Sequence, residues 1–169
     1  GGKTAFMVKM AVQVAERGGT EVLYLTTEMT EAQVVGRILP MAAGVPTWKF
    51  RRRKFDKEDS RKMLDACGDR LSKLPFKVFG KSRLAIEDIR AAVAHSKPRA
   101  VFIDYLQRVE LAKGDNRAYQ IMDFMVALKS LAQEQRLNVV IGCQLDRTLD
   151  KTAPAPENAD LKDSGALEA

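Results

Sequence analysis

This sequence predicts an α/β fold in which a mostly parallel sheet is covered by helices on both faces. Short apolar runs alternate along the chain with longer segments whose apolar residues recur at helical spacing, an order typical of such folds. Three of the runs, at 22–25, 100–105 and 139–143, are apolar at nearly every position. Strands of that kind are buried on both faces, as they are in parallel sheets.

Composition excludes several classes of protein. Hydrophobic residues make up 46% of the 169 positions, which is more than a disordered chain contains. No apolar run approaches the ~20 residues of a membrane-spanning helix. The two cysteines are too few for a disulfide-stapled scaffold, and with the single histidine they give no metal-ligand spacing. The formal charge of +6 is compatible with an anionic partner but does not establish one.

The helices are predicted from apolar spacing and from signals at their ends. Apolar residues recur every three or four positions over 3–16, and Gly18-Gly19 would end that helix. Thr30 and Gln33 have the spacing of a capping box, which predicts a helix that begins there. Further helices are predicted at 56–74, 86–94 and 121–132, and a further strand at 76–79.

Two stretches predict loops, and none predicts a linker between domains. Residues 114–116 indicate a turn, and 146–160 are polar with Pro154 and Pro156, so we expect a mobile loop there. The sequence contains no internal repeat. Residues 1–169 are therefore expected to form one domain.

The start of the chain carries part of a phosphate-binding pattern. Gly2-Lys3-Thr4 matches the last three residues of the phosphate loop GxxxxGK[ST], directly before the first predicted helix. Backbone N–H groups at a helix N-terminus bind anions, a lysine there reaches the β- and γ-phosphates, and a threonine hydroxyl binds Mg²⁺. The alternative is an ordinary glycine-rich loop before a helix.

Polar residues at the ends of three predicted strands strengthen that pattern, because ligands bind at the carboxyl edge of a parallel sheet. Asp104 could hold Mg²⁺ through water, Glu28 could deprotonate a water that attacks the γ-phosphate, and Gln144 could donate to that phosphate. Each has an ordinary alternative: a strand-end cap, an acid that complements a helix dipole, and a polar strand terminus. Together with the phosphate loop they favour a nucleotide site.

In chain order the motifs resemble those of the RecA-like ATPase domain of DnaB-type replicative helicases and their phage relatives. The matching strings are Gly2-Lys3-Thr4-Ala5-Phe6, Glu28-Met29-Thr30 with Gln33 and Arg37, Ile103-Asp104-Tyr105-Leu106-Gln107, Gln144-Leu145-Asp146-Arg147, and Asp160-Leu161-Lys162-Asp163-Ser164-Gly165. The string that contains Asp104 is the most specific of them. The departures from the family are Cys143 for Ser, Asp146 for Asn, Lys162 for Arg and Asp163 for Glu.

The resemblance implies a RecA-like P-loop NTPase fold, truncated at both ends, with ATP and Mg²⁺ as cofactors. The residues that it assigns to the site are Gly2, Lys3 and Thr4 for the phosphates, Thr4 and Asp104 for Mg²⁺ (Asp104 through water), Glu28 as the catalytic base, and Gln144 as the γ-phosphate sensor. In the family a later loop grips one DNA strand by its backbone. Lys162, Asp163 and Gly165 fall on that loop, so the implied binding of single-stranded DNA is independent of base sequence.

The implied activity is ATP-dependent DNA unwinding at replication forks by a cytoplasmic homo-hexamer, with primase and a helicase loader as partners and no membrane. The strand that feeds the phosphate loop would precede residue 1, and the trans-acting arginine would follow residue 169. That strand is central in a RecA-like sheet, so its neighbours would each expose an edge. This piece alone would therefore be expected to fold poorly and, without the arginine, to hydrolyse ATP slowly or not at all. The alternatives are a RecA-like ATPase that does not translocate, of recombinase or clock type, and an inactive nucleotide-binding fragment.

The densest basic cluster in the sequence is Arg51-Arg52-Arg53-Lys54, beside Phe50 and Phe55. It could contact DNA or a partner domain. A solvated turn before the charged helix at 56–74 is the interpretation that the sequence favours, because charge runs are usually solvent-exposed.

Overall fold

The computed structural model describes residues 2–111 and 117–144, and within those ranges it contains a four-stranded sheet. The strands are β1 (Val22–Thr26), β2 (Phe76–Gly80), β3 (Ala100–Asp104) and β4 (Asn138–Gly142). Their order is β2-β1-β3-β4, and all three pairings are parallel. The α/β prediction with a parallel sheet is therefore confirmed. Each strand is hydrogen-bonded directly to the next one in this order. The strand that we expected before residue 1 therefore does not lie between any two of these four.

The two central strands are the most buried part of the sheet. Every residue of β1 and of β3 is buried, whereas the outer strands are only partly buried. This is the reason why these two runs contain almost no polar residues, since a strand that is covered on both faces has no side that meets water.

Six α-helices surround the sheet in the described ranges. They are α1 (Lys3–Gly18), α2 (Glu31–Ala42), α3 (Thr47–Arg51), α4 (Lys57–Asp65), α5 (Ile86–Ser96) and α6 (Arg117–Glu134). None of them is long and apolar enough to cross a membrane. As predicted, α1 ends at Gly18-Gly19: Gly18 is its last residue, and Gly19 caps it in the left-handed conformation with φ of 52°. The capping box is also confirmed, since Gln33 N donates to Thr30 Oγ1 at 3.2 Å and Thr30 N donates to Gln33 Oε1 at 2.9 Å.

Helices cover both faces of the sheet, and each face has its own apolar core. Even-numbered residues of β1 and β3, such as Tyr24 and Phe102, pack against α1 and α2. Odd-numbered residues, such as Leu25 and Ile103, pack against α5 and α6. The alternation follows from the pleat of a strand, which points successive side chains to opposite faces.

Two local predictions differ from the structure. The short helix α3 follows Pro46 in a stretch for which the sequence predicted no element, and it reaches Arg51, the first residue of the predicted turn. The helix predicted over 56–74 ends as an α-helix at Asp65 and continues as a wider turn (Ala66–Arg70) and a tighter one (Leu71–Lys73). Gly68 lies in the wider turn, where it weakens regular α-helix. The loops predicted at 114–116 and 146–160 lie outside the described residues.

Candidate nucleotide-binding site

The last residues of the four strands form one row across the sheet. Gly80 pairs with Thr26, Thr26 with Asp104, and Asp104 with Gly142. By the alternation of side chains this row lies on the face that α1 covers. A Cβ on Gly142 would lie 2.6 Å from Met7 Sδ, 3.5 Å from Asp104 Oδ1 and 3.5 Å from Lys3 Cδ. The absence of a side chain at position 142 thus lets the start of α1 approach the end of β3.

The residues of the partial phosphate loop lie at this edge of the sheet. No side chain caps the N-terminus of α1 at Gly2, so its first-turn N–H groups remain available to an anion. The Lys3 ammonium lies 3.9 Å from the ring centroid of Tyr105, the residue that follows β3. A cation over an aromatic face is attracted by the ring, which holds the ammonium close to the strand end.

One cavity of about 800 Å³ brings several of the predicted site residues together. Gly2, Lys3, Thr4 and Glu28 all line it. Three arginines and an aromatic residue that the sequence did not assign to the site line it as well: Arg37, Phe50, Arg51 and Arg53. The cluster at 51–54 is solvent-exposed, as expected, but two of its members also face this cavity. Positive charge therefore lines the cavity on the phosphate-loop side and on the α2–α3 side.

Asp104 is the most deeply buried acid of the site, with no exposed surface. The Tyr24 hydroxyl donates a hydrogen bond to Asp104 Oδ2 at 3.0 Å. Burial, and next the negative charge of Asp104, raise the pKa of Tyr24 above its ordinary value, so the phenol keeps its proton. Asp104 Oδ1 has no hydrogen-bond partner among the described residues.

Thr27 ties the end of β1 to the end of β3. Its N–H and its hydroxyl both donate to the backbone oxygen of Asp104, at 2.9 and 3.1 Å, and the same hydroxyl accepts from Tyr105 N at 3.3 Å. Glu28 follows directly and is exposed in the cavity. The predicted base is thus carried by a fixed segment of backbone while its carboxylate remains accessible to water.

Gln144, two residues beyond β4, is held by its backbone. Gln144 N donates to Gln107 Oε1 at 3.1 Å, and Gln107 Nε2 donates to Gln144 O at 3.3 Å. The amide side chain of Gln107 thus makes the two backbone hydrogen bonds to Gln144 that a neighbouring strand would otherwise make. It joins the segment after β3 to the segment after β4.

The residues present fit Mg²⁺. A threonine hydroxyl and a carboxylate oxygen without a partner are hard oxygen ligands of the kind that Mg²⁺ prefers, and Mg²⁺ usually relies on substrate phosphates and water for the rest. Within 2–111 and 117–144 no cluster of three or more His, Cys, Asp and Glu side chains could hold a metal without such help.

The structure brings together most, but not all, of the predicted site. Lys3 and Thr4 share the cavity with Glu28, and Asp104 lies beside Lys3. Lys162, Asp163 and Gly165 lie outside the described residues. Sequence reasoning missed Tyr24 as a partner of Asp104. A signal was present, because a tyrosine in a fully buried strand needs a hydrogen-bond partner.

Two solved structures share this fold. The structure of a DnaB-like replicative helicase, described with its interactions with primase, superposes with a TM-score of 0.90 at 31% identity and covers 99% of this chain and 43% of that one. The ATPase domain of G40P gives a TM-score of 0.90 at 31% identity, over 99% of this chain and 62% of that one. These neighbours confirm the RecA-like ATPase fold.

Sequence relatives agree with the structural neighbours. A probable plasmid replicative DNA helicase of Chlamydia trachomatis is 31% identical over 172 residues, which cover 99% of this chain and 38% of that protein. The replicative DNA helicase DnaB of Geobacillus stearothermophilus is 29% identical over 174 residues, again 99% of this chain and 38% of the relative. The chain thus spans about two-fifths of the length of these relatives. The family model of the DnaB-like helicase C-terminal domain matches residues 1–169, and the chain belongs to that family.

Proposed function

We propose that this chain is the ATP-hydrolysing domain of a replicative DNA helicase, and that hydrolysis drives its movement along single-stranded DNA. The observation that carries the proposal is the grouping of Lys3, Thr4 and Glu28 around one cavity, with Asp104 beside Lys3. Membership of the DnaB-like family supports the helicase assignment, and the match to the ATPase domain of G40P supports the ATPase assignment.

Binding of the triphosphate uses the positive end of α1. The N–H groups of its first turn and the Lys3 ammonium offer hydrogen bonds and charge to the β- and γ-phosphates. The Thr4 hydroxyl and, through a water molecule, Asp104 would hold Mg²⁺. When bound, Mg²⁺ neutralises charge on the phosphate oxygens.

Hydrolysis requires a group that accepts the proton of the attacking water. Glu28 suits this role because its carboxylate is exposed in the cavity that the phosphate-binding residues line. Gln144 would donate a hydrogen bond to the γ-phosphate and so sense whether ATP is intact. Its backbone is fixed by Gln107, which limits where its side chain can reach.

Movement on DNA is assigned to the segment that follows Gln144. Lys162 would contact a phosphate of single-stranded DNA, and Asp163 and Gly165 would lie beside the same backbone. We further propose that the protein works as a homo-hexameric ring in the cytoplasm and that primase and a helicase loader are its partners. A solved relative that is described with its interactions with primase supports the primase assignment.

Two variants of the full-length protein test the two halves of this proposal. Glu28→Gln should bind ATP and single-stranded DNA normally but lose about 100-fold or more in turnover, because only the proton acceptor changes. Lys162→Ala should keep its DNA-free ATPase rate while losing affinity similarly for unrelated DNA sequences. Its salt slope should fall by about one unit for each DNA phosphate that the variant no longer neutralises.

Matched controls make the two results specific. Glu87→Gln makes the same chemical change in the first turn of α5, and Lys57→Ala removes an exposed lysine at the start of α4. Both controls should behave as wild type. Normal turnover in Glu28→Gln would remove this residue from the mechanism. Unchanged DNA affinity in Lys162→Ala would leave a RecA-like ATPase without its translocating element.

A further inference from the structure

Tyr24 carries a buried polar atom inside an apolar layer. The residue has no exposed surface, and its ring stacks between Phe76 and Phe102 at centroid distances of 6.1 and 6.4 Å. Val78 and Phe102 lie directly opposite it in the sheet, and neither is polar. A phenylalanine would fill almost the same space, so packing alone does not account for the hydroxyl.

The Tyr24 hydroxyl fixes the orientation of the Asp104 carboxylate. It donates to Oδ2 at 3.0 Å, and because both neighbouring rings fix the tyrosine, the carboxylate must turn to meet it. The two oxygens of a carboxylate are equivalent, so the hydrogen bond holds the plane of the group rather than choosing between them. With one oxygen held by Tyr24, the other, Oδ1, faces the Gly142 and Lys3 side of the site.

Asp104 Oδ1 destabilises the folded protein unless a ligand donates a hydrogen bond to it. It is buried and has no partner among the described residues. A buried carboxylate oxygen without a hydrogen bond has lost its contact with water and gained no partner, which destabilises the folded state. It lies at the carboxyl edge of the sheet beside the lysine of the phosphate loop, where a water molecule bound to Mg²⁺ would supply the missing hydrogen bond.

We propose that Tyr24 is a positioning residue for the magnesium-nucleotide site, which holds Asp104 Oδ2 so that Oδ1 alone faces the hydrated metal. The inference rests on the proposed nucleotide site and adds a residue that none of its motifs contains. Partners that orient a metal-binding side chain in this way typically contribute 10- to 100-fold to metal affinity or activity.

The test measures the Mg²⁺ concentration that half-saturates binding of a non-hydrolysed ATP analogue to the full-length protein. Tyr24→Phe should raise that concentration by about tenfold or more, and the affinity for the analogue without Mg²⁺ should stay the same. Tyr119→Phe is the matched control, because it removes a hydroxyl from a residue that is 64% exposed on α6. This control should not change either value.

Site-specific replacements separate positioning from packing and remain usable if Tyr24→Phe folds poorly. With 4-aminophenylalanine at position 24 a donor remains at the same place, so the wild-type Mg²⁺ requirement should return. With 4-fluorophenylalanine the volume of the hydroxyl is filled without a proton to donate, so the Mg²⁺ requirement should stay high.

Asp104→Asn distinguishes failure of this inference from failure of the site. If Tyr24→Phe and the fluorinated residue lower only the melting temperature and leave the Mg²⁺ requirement unchanged, Tyr24 is structural and the inference is overturned. If Asp104→Asn raises the Mg²⁺ requirement while Tyr24→Phe does not, the inference alone fails. If Asp104→Asn has no effect either, the proposed metal role of Asp104 fails with it.

Discussion

The two faces of the sheet are built from the same strands but from different chemistry. On the α5 and α6 face a large cluster of buried hydrophobic residues fills the core. On the α1 and α2 face the core is also apolar over most of its length, but it ends in Tyr24, Thr26 and Asp104. Successive residues of one strand thus serve different purposes. Ile103 fills a core, and Asp104, its neighbour, carries an unpaired oxygen to the site.

This difference shows where the fold tolerates a cost in stability. A buried acid with an unpartnered oxygen destabilises a domain, and on the α1 face Asp104 places such an oxygen at a strand end. The apolar cluster on the opposite face can stabilise the sheet that holds the site. Substitutions on the α5 and α6 face should therefore change mainly the free energy of unfolding, whereas those at the strand ends on the α1 face should also change the affinity for ATP.

The largest effect is expected from Ile89→Ala on the apolar face. Ile89 has no exposed surface, and its truncation should lower the free energy of unfolding by about 2–5 kcal/mol. Urea unfolding of the full-length protein measures this, with Ile89→Val as the milder control at about 0.5–1.5 kcal/mol. Under native conditions the affinity for ATP should not change. A matching loss of ATP affinity would mean that the two faces are not independent.

A smaller loss of stability, combined with a loss of nucleotide affinity, is expected from Gly142→Ala. The new Cβ would lie 2.6 Å from Met7 Sδ, so Met7 must move, at a cost of roughly 1–3 kcal/mol. Lys3 lies one helical turn before Met7 on α1, so a displacement of Met7 should disturb Lys3 and weaken ATP binding too. A double-mutant cycle with Met7→Ala should give a coupling of about 0.5–3 kcal/mol. Additive effects would show that the clash is relieved elsewhere.

The smallest effect concerns the pH dependence of cysteine modification. Burial raises the pKa of the Cys143 thiol, and the charge of Lys3 opposes that rise. Because the thiolate is the reactive form, a raised pKa leaves less of it at neutral pH. Mass spectrometry after brief alkylation at about pH 7.5 should show Cys67, which is exposed, modified before Cys143. The rate at Cys143 should keep rising at higher pH, and equal rates at neutral pH would contradict this order.

Features decided by neighbouring residues were predictable from the sequence. The end of α1 at Gly18-Gly19 and the capping box at Thr30 each depend on a few consecutive residues, and the structure confirms both. Strand β3 ends at Asp104, one residue before the end of the predicted run 100–105. Helix α3 was missed because five residues are too short to show a period. The catalytic and DNA-binding roles stay predictions, and Lys162 lies outside the described residues.

Features that depend on register between distant strands were not predictable. The Tyr24 hydroxyl meets a carboxylate 80 positions later, and Gln107 meets Gln144 across 37 positions. The sequence showed a polar residue in each place but not which groups would face each other. The sequence also did not show that arginines line the cavity opposite the phosphate loop. They approach it only because α2 and α3 pack together in the folded chain.

The single tryptophan of the sequence makes α3 an optical reporter of the cavity. Trp48 is 54% exposed and lies between Thr47 and Phe50, both of which line the cavity. The emission of an indole moves to shorter wavelength when it leaves water. A ligand whose binding alters the exposure of this indole would therefore change its fluorescence, and stopped-flow mixing could follow the kinetics of binding.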